Sequence, residues 1–571
     1  MPGGLLQLVG TGAQNELVNG NPSMTHFRAV YRRHTNFAME SIRMTFSGSN
    51  LEFSSTGTKT ISCRIDRYAQ LIHDTYLVLT LPNIWSPLAA VGAAPLPTGY
   101  GAGNDLTPNP NSIGYEFQWI DNLGYNLIDH VDLVMNGQVI QSMTGEWMKF
   151  YSYLTHDRNK RLIVDQMVGN VPEIKDPANA YDRQGQYPHA VTPINTPPTL
   201  PMTTVPEPSI RSRQLVVPLH FFFAENPGLA LPLVSLQNSE VYINVTLRTL
   251  HDIYTVIDVN PQSATYGTRV RPLNYPLSLF LSPPNLDGTP SNPSLATFFP
   301  DPYLEGNFIY LTEMEMNQLA RADQTFLVKT VKYVSKEGQF GGNSDVEIPM
   351  FNLVTRIVFS SQRSDKIAMN DWDNYTNWDS KGRAPFTPYA TDLQSKILTS
   401  GQQQITSVYP KYPLTDAVIL FDGKERFQTK PVSYFSLLQM YRHTTGTSID
   451  IPGVYMYSFA LDHDSYQPSG AANGSMFNKI ILRTSLQQPT PQSVAASSTN
   501  VVCILKSTAL SGNPTIVPAG QINLYTPDQL LTVVQTNDNL IFNYTYHMAT
   551  YVESINFLRI VSGLANLVFA S

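Results

Sequence analysis

The stretch from Val217 to Arg248, V-P-L-H-F-F-F-A-E-N-P-G-L-A-L-P-L-V-S-L-Q-N-S-E-V-Y-I-N-V-T-L-R, leaves the backbone few arrangements. An aromatic-rich run is broken at Asn226-Pro227-Gly228, a short apolar turn spans Leu229 to Leu236, and Val241 to Leu247 then alternates apolar and polar side chains as a half-buried strand does. The unit is too short to contain a crossover helix between parallel strands. Strand, compact connection, strand therefore predicts an antiparallel sheet layered on a second sheet.

Length and composition extend this reading. A chain of 571 residues is expected to hold more than one domain, and two sandwiches with large loops are the natural division. Charged residues make up 14%, with 42 prolines and 34 glycines, which favours sheets with irregular connections over long surface helices. A formal charge of -7 gives no general reason to bind phosphates. Cys63 and Cys503 are too few for a disulfide framework and fit a reducing compartment, although one long-range bridge stays open. No secretory pattern or membrane-length apolar stretch is present, and Pro2 after Met1 does not suit myristoylation.

In chain order, residues 1–24 read as a glycine-rich arm with an apolar patch at Leu5, Leu6, Leu8 and Val9, closing on a turn at Asn19 to Pro22. Arg28, Arg32 and Arg33 lie among Phe27, Val30, Tyr31 and Phe37; with no continuing basic patch they suit contacts between elements or subunits better than nucleic acid. Strands are expected at Met39 to Phe46, Ile61 to Arg67 and Tyr76 to Leu81. His130 to Met135 should enter a hairpin at Asn136-Gly137, followed by a short helix from Gly145 to Tyr153 with Trp147 and Phe150 inward. Ile84 to Ser112, Pro172 to Pro208 and Pro261 to Pro302 read as extended outer loops. Thr312 and Glu315 form a capping box for a helix joining two halves.

The halves echo one another. Val131 to Gln138 ends in Asn136-Gly137, and Val418 to Lys424 ends in Asp422-Gly423, so each is a buried strand entering a tight turn. In the second half Phe351 to Ser360, Val454 to Leu461 and Val501 to Lys506 are the clearest strands. Asp371 to Asp379 has neither the glycine nor the glutamate of a calcium loop and reads as a surface loop.

Catalytic chemistry does not assemble. The eleven histidines include no His-x-His or His-Glu-x-x-His pattern, and Asp462-His463-Asp464 reads as ordinary loop hydrogen bonding. Glu146 with Asp157 and Glu313 with Glu315 read as solvated acids, not a glycosidase pair. No nucleophile elbow or phosphate loop occurs, so no catalytic, cofactor or metal residues are assigned. The sequons at Asn244, Asn374, Asn473 and Asn543 lack a secretory context.

Four separated segments carry a resemblance: Phe27 to Phe37; Phe221-Phe222-Phe223 through Leu233; Gly453-Val454-Tyr455-Met456-Tyr457-Ser458-Phe459-Ala460-Leu461 with Gln467-Pro468-Ser469-Gly470 and Asn478-Lys479-Ile480; and Asn556 to Gly563. In this order they resemble the major capsid proteins of nucleocytoplasmic large double-stranded DNA viruses. The resemblance implies an all-β chain of two consecutive eight-stranded antiparallel jelly rolls with long loop insertions: residues 25–315 and 325–571, with an arm at 1–24 and a linker helix at 316–324. It further implies a non-enzymatic homotrimeric, pseudo-hexameric capsomer, packed against neighbouring capsomers in the icosahedral shell of a virion and assembled in the host cytoplasm. The arm would face inward, toward minor capsid proteins or an inner membrane layer, with no sequence-specific nucleic acid contact. Leu5, Leu6, Leu8, Val9, Arg28, Arg32 and Arg33 are the candidate assembly contacts. The alternative is a carbohydrate-active or carbohydrate-binding β-sandwich, for which 30 tyrosines and 5 tryptophans offer stacking surfaces.

Overall fold

A computed structural model describes residues 3–48, 52–53, 57–86, 115–183, 187–190, 207–258, 269–270, 277–283, 298–368, 370–377, 411–447, 449–487, 501–505, 516–517, 530–536, 539–542 and 545–569. Sixteen of its strands form two sets of eight with the same topology. In the first set the strands are Phe37–Thr45, Lys59–Arg64, Leu71–Leu81, Ile128–Met135, Gln138–Thr144, Arg213–Pro218, Val241–Leu247 and Tyr303–Leu311. Numbered within that set, they pair as 1-8-3-6 in one sheet and 2-7-4-5 in the other, all antiparallel. The second set is Gln324–Gln339, Gly342–Glu347, Leu353–Arg363, Leu414–Phe421, Lys424–Glu425, Val454–Ser458, Ile480–Leu486 and Tyr546–Val561, and it repeats both orders. These are two eight-stranded jelly rolls in which every consecutive strand crosses to the other sheet, except across the tight hairpins.

Those hairpins carry the echo seen in the sequence. Asn136 and Gly137 have φ of 51° and 76°, and Asp422 and Gly423 have 48° and 81°. Two consecutive left-handed residues make the turn that matches strand twist, and Asx-Gly tolerates it at lowest steric cost. The Val217–Arg248 unit also behaves as its pattern predicts. Arg213–Pro218 and Val241–Leu247 lie in opposite sheets, and Phe221, Phe222 and Phe223 fill the bend between them in the core.

Strand direction sorts the connections by end. In each roll, strands three, five and seven finish at one end, and the connections leaving there are long: 82–127, 145–212 and 248–302 in the first roll, and 364–413, 426–453 and 487–545 in the second. The opposite end carries shorter turns and, in the first roll, the start of Phe37–Thr45, which pairs with Leu311 at the finish of the last strand. Both rolls present this opposite end to the helix Glu313–Arg321 that lies between them. Bonds between equivalent ends keep the rolls side by side: Asn238 N–H donates to the Gly563 carbonyl at 3.2 Å, while at the long-connection end Asn370 Nδ2 donates to the His251 and Tyr254 carbonyls.

The second roll therefore has a sheet buried on both faces. In Tyr546–Val561, Tyr546, Met548 and Val552 enter their own sandwich, while Ala549 and Tyr551 on the other face join the core of the first roll. Period-two alternation places neighbouring side chains on opposite faces, and here both faces are dry. Leu353–Arg363 is buried at every position but its first.

The segment before Phe37 contains the helices Gly3–Val9 and Ala13–Asn19, with its glycines at their ends, and bends at Gly20-Asn21, where Asn21 has φ of 49°. One expectation is corrected. Thr312 occupies the N-cap of Glu313–Arg321, but its hydroxyl makes no capping bond; Glu315 instead accepts from Thr35 Oγ1 at 3.2 Å. Val501–Leu505 is a strand, as expected, and lies in a separate four-stranded sheet within 487–545. A three-stranded sheet built from Tyr115–Trp119, Tyr254–Asp258 and Arg269–Val270 decorates the first roll similarly. Much of the three expected outer loops, including 87–112, 191–206 and 284–297, lies outside the described residues.

Candidate assembly surfaces and the junction that orients them

In a two-roll chain, the junction between rolls sets their relative geometry. Its centre is the helix Gly145–Thr155, which leaves the first roll and packs against the doubly buried sheet of the second. Thr144 caps it by accepting from Trp147 N–H at 3.0 Å. Gly145 is required at its start, because a Cβ there would fall 2.1 Å from the Tyr125 carbonyl oxygen.

Lys149 on this helix is fully buried and paired with Asp373 of the second half at 2.6 Å. Lys149 Nζ also donates to Asn126 Oδ1 and to the Tyr375 hydroxyl, both at 3.1 Å. Asn122 and Asn126 donate their amides to the two oxygens of Asp373. One turn earlier, Glu146 accepts from the hydroxyls of Tyr375 and Tyr551, each at 2.6 Å. Burial, reinforced by Glu146, holds both phenols well above their ordinary pKa, so they remain donors.

A second buried pair lies nearby. Arg356 donates through Nε and Nη2 to Glu553 Oε2 at 3.0 and 2.7 Å, and Thr355 donates to the other carboxylate oxygen at 3.1 Å. Burial alone would raise the Glu553 carboxyl, but Arg356 and Lys329 bring it below the ordinary carboxylate range. Lys329 in turn pairs with Glu225 of the first roll at 3.3 Å. Charges this deep tolerate little displacement, because each would lose its partner in a poorly solvating interior. The two rolls are thus locked by directional contacts as well as by apolar burial.

These contacts overturn two readings of the sequence. Asp371 to Asp379 is not a surface loop, since Asp373, Asn374, Tyr375 and Thr376 are buried at the junction. Glu146 is not a solvated acid, and Asp157 has a separate task, accepting from Lys160 N–H at 2.9 Å to cap the next helix. His463 is buried with Nε2 2.7 Å from Ser458 Oγ, a loop contact as expected. Cys63 is a buried free thiol, pushed up to about 11 chiefly by burial; the Cys503 side chain lies outside the described residues.

The sequence candidates for assembly do not touch this junction. Leu5, Leu6, Leu8 and Val9 are 49–75% exposed, and Leu17, Val18, Met24, Phe27, Val30 and Tyr31 continue the exposed apolar surface. Arg28, Arg32 and Arg33 are exposed in the same segment, with no ion pair among the described residues. Ten large apolar side chains in one exposed segment are more than scattered surface hydrophobes, and a surface of this kind marks an interaction site. The segment joins the first roll at the end opposite its long connections.

Comparison with known families follows the same division. A family described as "Major capsid protein N-terminus" matches residues 25–280, and "Large eukaryotic DNA virus major capsid protein" matches residues 315–513. The chain belongs to the major capsid proteins of the nucleocytoplasmic large DNA viruses. Major capsid proteins of Phaeocystis pouchetii virus and Paramecium bursaria Chlorella virus 1 are 27% and 25% identical to it; the first match covers 88% of this chain and 96% of the relative, the second 100% of both. Among solved structures, the PBCV-1 capsid protein VP54 aligns over 96% of this chain and 100% of its own, with a TM-score of 0.57 and 20% identity. The Faustovirus major capsid protein aligns over 98% and 96%, with a TM-score of 0.56 and 14% identity. At those identities the structures establish the shared double jelly-roll fold. As a major capsid protein, the chain is a structural component of the virion shell.

Proposed function

We propose that three copies of this chain close into a homotrimeric, pseudo-hexameric capsomer that packs with neighbouring capsomers to tile an icosahedral shell. The carrying observation is that two rolls of identical topology stand side by side with their long connections at the same end. Three such chains present six similar walls, approximating six-fold packing with three-fold closure. In this reading residues 1–24 are the arm, 25–315 and 325–571 the two rolls, and 316–324 the linker, which the helix Glu313–Arg321 overlaps and the strand Gln324–Gln339 ends. The long connections face outward. The arm, leaving the opposite end, faces inward toward minor capsid proteins or an underlying membrane layer, without sequence-specific nucleic acid contact. Assembly takes place in the host cytoplasm.

Leu5, Leu6, Leu8 and Val9 supply the apolar part of the inner contact, and Arg28, Arg32 and Arg33 pair across elements or subunits. Deleting residues 2–18 should leave trimers intact, because none of the described side chains it removes, those of 3–18, is buried in the subunit. Particle yield, or retention of inner components, should fall severalfold. Unchanged yield and particle stability on sedimentation would remove the arm from assembly.

A further inference from the structure

At the long-connection end of the first roll, four segments enclose a surface cavity of about 510 Å³: the helix Pro172–Lys175, the turn at Tyr181 to Arg183, Pro188-His189, and the lead-in to Arg213–Pro218. This lies within the roughly 300–1,000 Å³ typical of small-ligand sites. Its lining is polar in both senses. Arg183, Arg211 and Arg213 contribute donors, and among the described residues only Arg211 pairs with a carboxylate, Glu207 at 3.8 Å. Arg213 is steadied by the Gln166 carbonyl and side-chain oxygen at 3.1 and 2.7 Å, and Arg183 by the Pro177 carbonyl at 3.0 Å. Among the described residues these two guanidiniums have neutral partners and keep their charge for an incoming anion.

Among the described residues, two buried atoms in the lining have no hydrogen-bond partner: Glu173 Oε2, an acceptor, and His189 Nδ1. Burial lowers the His189 imidazole to about 4, against a backbone bond to Ser86 that raises it, so it is neutral at physiological pH. At the rim, Tyr181 and Asp182 both sit in the left-handed region, with φ of 55° and 57°. That is an unfavourable conformation for two consecutive non-glycine residues, and it leaves the Tyr181 ring 75% exposed with the Arg183 guanidinium 5.3 Å from its centroid.

We propose that this cavity binds a carboxylated saccharide, with the sugar carboxylate on Arg183 and Arg213, hydroxyls on Glu173 and His189, and the apolar face of a sugar ring on Tyr181. A planar guanidinium matches a carboxylate, hydroxyls both donate and accept, and an exposed aromatic ring covers the C–H face; all three recognition elements are present. The site stands on local geometry and does not depend on the number of chains in the capsomer.

Calorimetric titration of the native oligomer with tetragalacturonate tests it, with maltotetraose and inorganic phosphate as controls. Tetragalacturonate should bind at least about tenfold more tightly than maltotetraose, and Arg183→Ala with Arg213→Ala should cost about tenfold or more. Tyr181→Gly removes the ring while suiting the backbone, so it should weaken binding severalfold in a fully folded protein. The proposal is overturned if tetragalacturonate does not bind, if these variants bind it unchanged, or if phosphate displaces it at equal concentration, which would indicate a simple anion pocket.

Discussion

Asp373→Ala is expected to destabilise the subunit by about 3–5 kcal/mol, because it strands the Lys149 ammonium in a water-free junction. Lys149 is 1% and Asp373 0% exposed, so solvent does not replace the lost carboxylate. The amides of Asn122 and Asn126 each lose one acceptor in the same step, keeping the Tyr153 hydroxyl at 3.2 Å and the Asp121 carbonyl at 2.6 Å. Asp345→Ala is the control. It breaks the Arg483 pair at 2.8 Å, but those side chains are 46% and 41% exposed, and such pairs contribute less than about 1 kcal/mol. Combining Lys149→Met with Asp373→Leu should recover part of the loss by removing both charges. Thermal unfolding of the three variants distinguishes these cases. Equal midpoints for Asp373→Ala and Asp345→Ala would show that the buried pair does not hold the rolls together.

The second large effect is loss of stability in mild acid. Burial is the main cause that lowers His156 and His189 to about 4 and His220 and His463 to about 3; Lys160 adds to the shift at His156 and His220, and Arg356 to that at His463. In the unfolded chain a histidine titrates near 6.5. Between that value and the folded one, the unfolded state binds more protons at these four sites, so their contribution is complete above about pH 6.5 and declines as pH falls, while Glu116, raised to about 7 chiefly by burial, works in the opposite direction. At pH 4.5 this amounts to about 2–3 kcal/mol for each of His220 and His463. The carboxyl of Glu553, held low, loses its contribution only in stronger acid, so the first decline belongs to the histidines. His220→Gln should flatten the profile by about one proton between pH 6.5 and 4.5. A His220→Gln profile of denaturation midpoints parallel to the parent over that range would contradict the assignment.

The sequence was most legible where local chemistry dictates shape. Asn136-Gly137 and Asp422-Gly423 signal tight hairpins through backbone conformation alone, and their recurrence exposes the duplication before any tertiary contact is known. Helix Gly145–Thr155 follows from its apolar spacing. What stayed hidden depends on contacts distant in sequence. Lys149 looks like the polar face of an amphipathic helix until Asp373, 224 residues away, is placed beside it. Asp371 to Asp379 is rich in carboxylates and amides, which ordinarily mark a solvated loop; its burial makes sense only because Lys149, Asn122 and Asn126 satisfy Asp373. Arg356 and Glu553 lie in strands whose other positions read as core, and a charged residue within a dry strand was the one available signal that a second face was covered. The apolar patch of Leu5, Leu6, Leu8 and Val9 was visible, but the helices Gly3–Val9 and Ala13–Asn19 that carry the arm were not read from it.

Electron cryomicroscopy of the native oligomer, and of particles assembled from it, tests the central claim most directly. The account predicts three chains around a closed three-fold axis, six similar jelly-roll walls, long connections on the outer surface and the segment before Phe37 on the inner one. A monomer or dimer under assembly conditions, or a trimer with the long connections turned toward the particle interior, would contradict it.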